Sequence, residues 1–319
     1  MSSESVVSPT VLLGPSGRVP PWAIEAVNDG GGSVVEDPSS ARAMVWMDVT
    51  AVQELRDALF AGHGVEWVQL PWAGVEAFSA AGIFSAYPDV RFTCGKGVYA
   101  EPVAEHALAL GLAGLRDLPG RARSTAWGKQ SGVSLFDASV VIVGGGGIAE
   151  VLIDLLAPLR ARVTIVRRDA SIPVGSMAGV VSVVGPEHLL DVLPGADLVV
   201  LALALTPETD GLFGARELAA MAPHAWLVNV ARGRHVDTDA LVRALQERRI
   251  GGAALDVTEP EPLPDGHPLW LLPNAIITPH TANTLEMARP HLARRIRENV
   301  ARFAAGEDLI GPVDPALGY

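Results

Sequence analysis

Short runs of β-branched and aliphatic residues alternate with amphipathic stretches along the whole chain, on two different scales. In the first hundred residues the apolar runs are brief. Val6–Leu13, Ala43–Met47, Val65–Leu70 and Val90–Cys94 read as strands. Between the first two, Pro20–Asn28 reads as a helix that opens on prolines and stops before Gly30. Thr50 stands three residues before Gln53, a capping-box spacing that predicts a helix running on to Gly62. Together these elements make a small α/β unit.

From about Val103 the elements lengthen. Val103–Leu115 predicts a long apolar helix, and Pro119–Phe136 is a looser segment carrying Arg121, Arg123 and Trp127. Beyond it lie Ser139–Val143, Val163–Val166, Val180–Val184, Leu198–Leu203, Trp226–Val230, Ala253–Val257 and Ala275–Thr278. These runs are continuously apolar rather than alternating, which predicts strands covered on both faces. Helical patterns separate them, so the expected architecture is a doubly wound parallel sheet. A final amphipathic helix is expected over Thr284–Ala304, with nothing strand-like after it.

Composition adds bounds. A chain of 319 residues suggests two domains, and 49% hydrophobic against 19% charged residues supports a full core. The longest strictly apolar run, Leu198–Leu205, is far short of the ~18 residues that span a bilayer. The N-terminus has no basic region of the signal-peptide kind, and a cytoplasmic location is expected. One cysteine, Cys94, excludes an internal disulfide framework and a cysteine-ligated zinc site. No histidine or acid pair shows metal-ligand spacing, so no metal is expected. A net charge of −12 argues against nucleic acid and anionic membranes as partners, because both present phosphate.

The strand at 139–143 runs into GGGGIA (144–149) and then a helical stretch. In that setting Gly144 permits a tight turn, Gly146 leaves room for a pyrophosphate at a helix N-terminus, and Ala149 allows close helix–sheet packing. A dinucleotide site is therefore expected. About 20 residues on, where an acid would accept from an adenosine ribose hydroxyl, the chain has Arg167 and Arg168. Two guanidiniums suit a 2′-phosphate, so NADP(H) is preferred. With Asp169 acting in a shifted register, NAD(H) is the alternative.

Three later segments carry polar residues at strand ends: NVARGRHVD (229–237), ALDVTEPEPLP (254–264) and TPHTANT (278–284). Together with GGGGIA, LTPET (205–209), HPLW (267–270), AGVE (73–76) and VAEHA (103–107), these make the chain resemble the D-isomer-specific 2-hydroxyacid dehydrogenase family. Most of the chain takes part. The resemblance places the family's arginine on Arg232, its glutamate on Glu261 and its histidine on His280. His280 is expected to protonate the carbonyl oxygen of a 2-oxo acid, with Glu261 bonding its other ring nitrogen and stabilising the imidazolium. Arg232, a planar fork, is expected to bind the substrate carboxylate.

The resemblance also implies carboxylate contacts from the backbone of Ala73 and Gly74, beside Trp72. It implies cofactor contacts at Gly144, Gly146, Gly147, Ile148, Ala204, Thr206, Val230, Arg232, Asp256 and Ala282, with Asp256 meeting the nicotinamide carboxamide. His106 reads as a satisfied helix residue, and His63, His188, His224, His235 and His291 sit in surface-like contexts. Two departures from the family stand out: Gly145 replaces a bulky aliphatic residue, and the acidic ribose residue is missing. Glu261 argues against formate dehydrogenase, whose histidine is paired with glutamine. The chain ends soon after the last helix, which implies no C-terminal regulatory domain.

The implied fold is α/β in two domains, a Rossmann cofactor domain over 104–285 and a smaller flavodoxin-like substrate domain over 1–103, with 286–319 returning to pack a C-terminal helix on it. The expected activity is NADPH-dependent reduction of a small 2-oxo acid, glyoxylate or hydroxypyruvate, to the D-2-hydroxy acid, with closure of the domains excluding water. Trp72, Tyr99 and Trp270 leave open an NAD(H)-dependent enzyme for a bulkier substrate such as phenylpyruvate. A dinucleotide-sensing, corepressor-like binding protein is the alternative from another class. The resemblance further implies a homodimer, with the Pro119–Phe136 arm and Trp127 reaching the neighbour.

Overall fold

The computed structural model describes residues 8–172, 175 and 179–314. The chain divides into two units, one formed by residues up to Tyr99 together with Leu285 onward, the other by Ala100–Thr284. The sequence placed these breaks at 103/104 and 285/286. Each break coincides with the first residue of a long helix, Ala100–Leu115 and Leu285–Ala305. Pro102 lies in the first turn of the former, where a backbone N–H has no intrahelical partner to lose, so the proline does not delay the helix.

The first unit holds a five-stranded parallel sheet in the order β2-β1-β3-β4-β5. Its strands are β1 (Thr10–Gly14), β2 (Ser33–Val35), β3 (Ala43–Trp46), β4 (Trp67–Gln69) and β5 (Arg91–Thr93). Val6 and Val7, expected in β1, lie outside the described residues. Strand β2 was not expected: three residues after a glycine triplet are too few to show a period. The capping box at Thr50 does not form. Helix Val52–Ala61 has Ala51 at its N-cap, and the Thr50 backbone N and Oγ1 both donate to Asp48 Oδ1, at 2.8 and 2.7 Å. A local Asx-type turn outcompetes the cap.

Helix Leu285–Ala305 belongs to this unit and packs against helix Pro21–Asp29. Its fully buried Asn299 donates from Nδ2 to Gln69 Oε1 and to the Ile310 carbonyl, both at 2.9 Å, and accepts from Ile310 N at 2.8 Å. Nothing strand-like was expected after that helix, and no strand follows it among the described residues, but Pro312 forms an isolated antiparallel bridge with Thr93.

The second unit is a seven-stranded parallel sheet in the order β12-β11-β10-β9-β6-β7-β8. Its strands are β6 (Ser139–Val143), β7 (Arg162–Val166), β8 (Val180–Val184), β9 (Leu198–Leu201), β10 (Trp226–Asn229), β11 (Gly252–Leu255) and β12 (Ala275–Ile277). Every residue of β9, β10 and β11 is buried, which is why the sequence runs are continuously apolar. Helix Ala100–Leu115 packs on β10 and β11 and beside helix Gly147–Leu156, presenting Val103, Ala104, Ala107 and Leu110. The strand order reverses between β6 and β9, and in such sheets ligands sit outside the carboxyl ends of strands at that switch point. Among the described residues no helix is long and apolar enough to cross a membrane.

Candidate active site at the carboxyl ends of the large sheet

The turn after β6 is built around Gly144, whose φ is +119°. A Cβ there would lie 2.1 Å from the Ala202 carbonyl oxygen, so the turn passes directly over the end of β9 and admits only glycine. Gly146, two residues on, is the N-cap of helix Gly147–Leu156, with an ordinary φ of −98°. A Cβ there meets nothing within 4 Å. Open space faces the helix N-terminus, where the free N–H groups of Gly147 and Ile148 favour an anion. Ala149 is fully buried, so the helix seats closely on the sheet. These residues fit a dinucleotide pyrophosphate.

At the end of β7 the Arg167 side chain folds back over the turn, within about 3.0 Å of where a Gly145 Cβ would be, and donates to the Ile172 carbonyl at 3.2 Å. Gly145 thus makes room for an arginine. Asp169 is turned away: its Oδ1 accepts from Ser171 N and Oγ, at 2.9 and 2.6 Å, and those bonds hold its carboxyl below the usual range. Arg168 lies near Glu208 and helps to lower that carboxyl, after the Glu208 hydrogen bonds to the Thr206 side chain and to backbone.

After β9, Thr206 N donates to Thr209 Oγ1 at 2.8 Å, and that hydroxyl reaches the exposed Ala204 carbonyl at 2.9 Å. The loop is held from below by His235. Read from sequence as a surface residue, His235 is fully buried, with Nδ1 2.9 Å from the Thr209 carbonyl and Nε2 3.3 Å from that of Leu203. Desolvation pushes its pKa down. The tripeptide Gly233–His235 forms a short helical turn that tucks the ring inward, which a count of polar neighbours could not show.

After β10, fully buried Asn229 shapes the loop that carries Arg232: its Oδ1 accepts from Ala231 N at 3.0 Å, and its Nδ2 donates to the Arg232 carbonyl at 2.8 Å. Arg232 is half-buried, and its Nη1 donates to the Ala231 carbonyl at 2.8 Å. The next residue, Gly233, would drive a Cβ to 1.9 Å from the Thr258 carbonyl oxygen, so the loops after β10 and β11 touch backbone to backbone. Thr258 N in turn donates to Glu261 Oε2 at 3.3 Å. Glu261 Oε1 lies 2.7 Å from His280 Nδ1. A contiguous path therefore joins Arg232, Thr258, Glu261 and His280.

Asp256, at the end of β11, is 2% exposed and faces the His280 segment. Its Oδ1 accepts from Thr278 Oγ1 at 2.6 Å and Thr281 N at 2.9 Å, and Oδ2 from Ala282 N at 3.0 Å. Its own carbonyl accepts from His280 N at 2.8 Å. Burial pushes this carboxyl up, but hydrogen bonds from His106, Thr278, Thr281 and Ala282 outweigh it and hold the group at about 2. His280 has φ +49°, a left-handed conformation rare outside glycine. Asn229 and Thr278 were not singled out in the sequence. The signal available was a polar side chain ending an otherwise apolar strand.

In the first unit, Trp72 lies against Tyr99 with ring centroids 5.4 Å apart. The Tyr99 hydroxyl donates to the Pro71 carbonyl at 2.5 Å, and burial pushes its pKa up. Ala73 is exposed and Gly74 half-buried. Cys94 is fully buried, and desolvation raises its thiol, the opposite of what a nucleophile needs. In the second unit Trp270 is half-exposed and donates from Nε1 to the Pro264 carbonyl at 3.0 Å, while Val230 is buried. Trp127 is 94% exposed on the irregular arm. A groove of about 410 Å³ beside Glu259 and Pro260 is lined by Asp210, Arg234, Asp237 and His267, with none of Arg232, Glu261 or His280. Among the described residues no cluster of three His, Cys, Asp or Glu is placed to hold a metal.

Residues 107–282 match the sequence family described as D-isomer specific 2-hydroxyacid dehydrogenase, NAD binding domain. A Corynebacterium melassecola protein, described only as lying in the proB 3′ region, is 38% identical over 263 residues, 81% of this chain and 84% of its own length. The glyoxylate/hydroxypyruvate reductase A of Serratia proteamaculans is 40% identical over 142 residues, 44% of each chain. Among solved structures, a D-isomer specific 2-hydroxyacid dehydrogenase from Xanthobacter autotrophicus Py2, in complex with NADPH and MES, superposes with a TM-score of 0.83 at 30% identity. That match covers 98% of this chain and all of that one.

Proposed function

The chain belongs to the D-isomer specific 2-hydroxyacid dehydrogenase family, NAD(P)-dependent oxidoreductases, and on that premise we propose that it reduces a small 2-oxo acid with NADPH, His280 donating the proton. The observation that carries the reading is the 2.7 Å contact between His280 Nδ1 and Glu261 Oε1. A carboxylate only accepts, so Nδ1 carries a proton and Nε2 is the atom left for chemistry. Protonated, the ring presents Nε2–H to a carbonyl oxygen, and the Glu261 charge beside it compensates the imidazolium.

The remaining residues take complementary roles. Arg232 binds the substrate carboxylate and orients C2, a task that suits a guanidinium fork. The bound cofactor supplies the hydride that C2 receives as its carbonyl oxygen takes the proton, giving the 2-hydroxy acid. Gly144, Gly146, Gly147 and Ile148 cradle the pyrophosphate, and Arg167 and Arg168 meet the adenosine 2′-phosphate. The Arg167 position over the turn and the commitment of Asp169 to Ser171 favour NADPH over NADH. Glyoxylate and hydroxypyruvate are the leading substrates, in line with the name of the Serratia relative.

Absorbance at the nicotinamide band tests this directly, with NADPH or NADH and a panel of glyoxylate, hydroxypyruvate, pyruvate and phenylpyruvate. Faster NADPH oxidation on one of the first two acids is the expected result. An NADH preference would remove the role of the two arginines. No oxidation of either cofactor, with cofactor still bound, would overturn the enzymatic reading in favour of a sensing protein.

A further inference from the structure

The strained backbone of His280 must be held by something, and its support reaches across the second unit to helix Ala100–Leu115. His106, half-buried on that helix, brings Nε2 to 3.0 Å from Thr278 Oγ1 and 3.4 Å from Asp256 Oδ1. The direction of these bonds follows from what each group can give. The Asp256 carboxylate accepts only, so at 2.6 Å the Thr278 hydroxyl proton points at it. Thr278 Oγ1 then has only lone pairs to offer His106, and the histidine must donate from Nε2–H. The direction is therefore one-way: His106 donates toward Thr278, with Asp256 Oδ1 also in reach at 3.4 Å, and Thr278 donates to Asp256.

Asp256 passes that anchorage on. It grips both sides of His280: Thr278 before it, and Thr281 and Ala282 after it through their N–H groups, while its carbonyl takes His280 N. A non-glycine residue at φ +49° costs on the order of 1 kcal/mol and persists only where its surroundings dictate it. Helix Ala100–Leu115 is a firm support, because its Val103, Ala104, Ala107 and Leu110 face is buried on the sheet.

We infer that His106 is a positioning residue for reduction, fixing the backbone of the His280 loop through Thr278 and Asp256. The inference rests on the proposed reductase activity but makes its own claim about the loop. A proton donor displaced by even about 1 Å loses up to a hundredfold in rate, so the effect falls on kcat rather than on binding.

Two readouts test it. His106→Phe keeps a ring and removes the donor. We expect kcat to fall about tenfold, with KM for the oxo acid and for NADPH within about threefold of wild type. His106→Gln, which restores an N–H donor, should recover most of the loss. Thr278→Val removes the relaying hydroxyl and should match His106→Phe, with the double variant no slower than either single one. In the second readout, amide exchange followed by mass spectrometry on the peptide containing Thr281 and Ala282 should quicken about tenfold in both single variants, with no cofactor present. Turnover within twofold of wild type, additive losses, or a His106→Gln enzyme as slow as His106→Phe would each overturn the inference. So would unchanged exchange. If the wild type reduces no oxo acid, the reductase reading fails, and exchange alone still decides whether His106 holds the loop.

Discussion

Adding a single methyl group at Gly146 separates ligand binding from folding. The Cβ of Gly146→Ala meets nothing within 4 Å and φ is −98°, so no strain or overlap opposes it. Alanine is a poorer N-cap than glycine by up to about 1 kcal/mol, and the loss of unfolded-state freedom returns about 0.4–1 kcal/mol. Stability should therefore stay within about 1 kcal/mol of wild type. The methyl does fill the space before the helix N-terminus. Displacing a phosphate from one charge-assisted N–H contact forfeits about 1.5–3 kcal/mol, or roughly 10- to 100-fold in affinity. Gly144→Ala is the contrasting change: φ +119° and a 2.1 Å approach to the Ala202 oxygen should destabilise by at least ~3 kcal/mol. Urea melts give the stabilities, and quenching of the tryptophan emission by NADPH or NADH gives the affinities. Gly146→Ala protein that binds both dinucleotides within twofold of wild type would refute the placement of the pyrophosphate.

Three further predictions follow from the same geometry. Arg232→Ala, Glu261→Gln and His280→Ala should each lower kcat/KM for the oxo acid by at least ~100-fold while leaving NADPH binding within a few-fold, as steady-state rates and titrations would show. Arg167→Ala and Arg168→Ala should each weaken NADPH by roughly tenfold and leave NADH unchanged, and equal losses for both cofactors would remove the 2′-phosphate role. Asp256, held at about 2 in the folded chain against about 3.9 unfolded, contributes about 2 kcal/mol above pH 4. That contribution fades as pH falls through its folded value, about 1 kcal/mol of it being gone by pH 3. The stability gap between wild type and Asp256→Asn should therefore shrink from pH 5 to pH 3, and a constant gap in urea melts would count against this.

What the sequence made legible was local. Continuous apolar runs reported strands, and the seven runs of the larger unit correspond to β6 through β12. Burial on two faces explains this for β9, β10 and β11, whereas β8 was legible from its valines although Val181 is 61% exposed. The glycine turn was legible because a strand, a glycine run and a helix follow one another directly, although the close approach that demands Gly144 comes from Ala202, just past β9 and far along the chain. Where a local competitor existed, the reading went wrong. Asp48 takes the Thr50 hydroxyl that a capping box would have used. The three residues of β2 form a strand only because β1 lies beside them, in register from Thr10 and Ser33.

The candidate chemistry was legible by residue type and not by geometry, for a reason of distance along the chain. The bonds that set the His280 loop join residues 22, 25 and 26 positions apart, and the one from His106 spans 172. No hydrophobic period or capping rule reaches that far, so His106 read as a helix residue and His235 as a surface one. Yet the buried polar side chains nearest the site, Asn229, His235 and Asp256, bond to backbone of the loops that carry Arg232, Thr206 and His280, and Asp256 also to the Thr278 hydroxyl. Burying a polar group without partners costs about 1–3 kcal/mol, so each of these residues is tolerated only while its loop holds its place. The loops are thus tied to the sheet by groups that penalise any other arrangement. That accounts for a histidine at φ +49° persisting in the loop that follows β12.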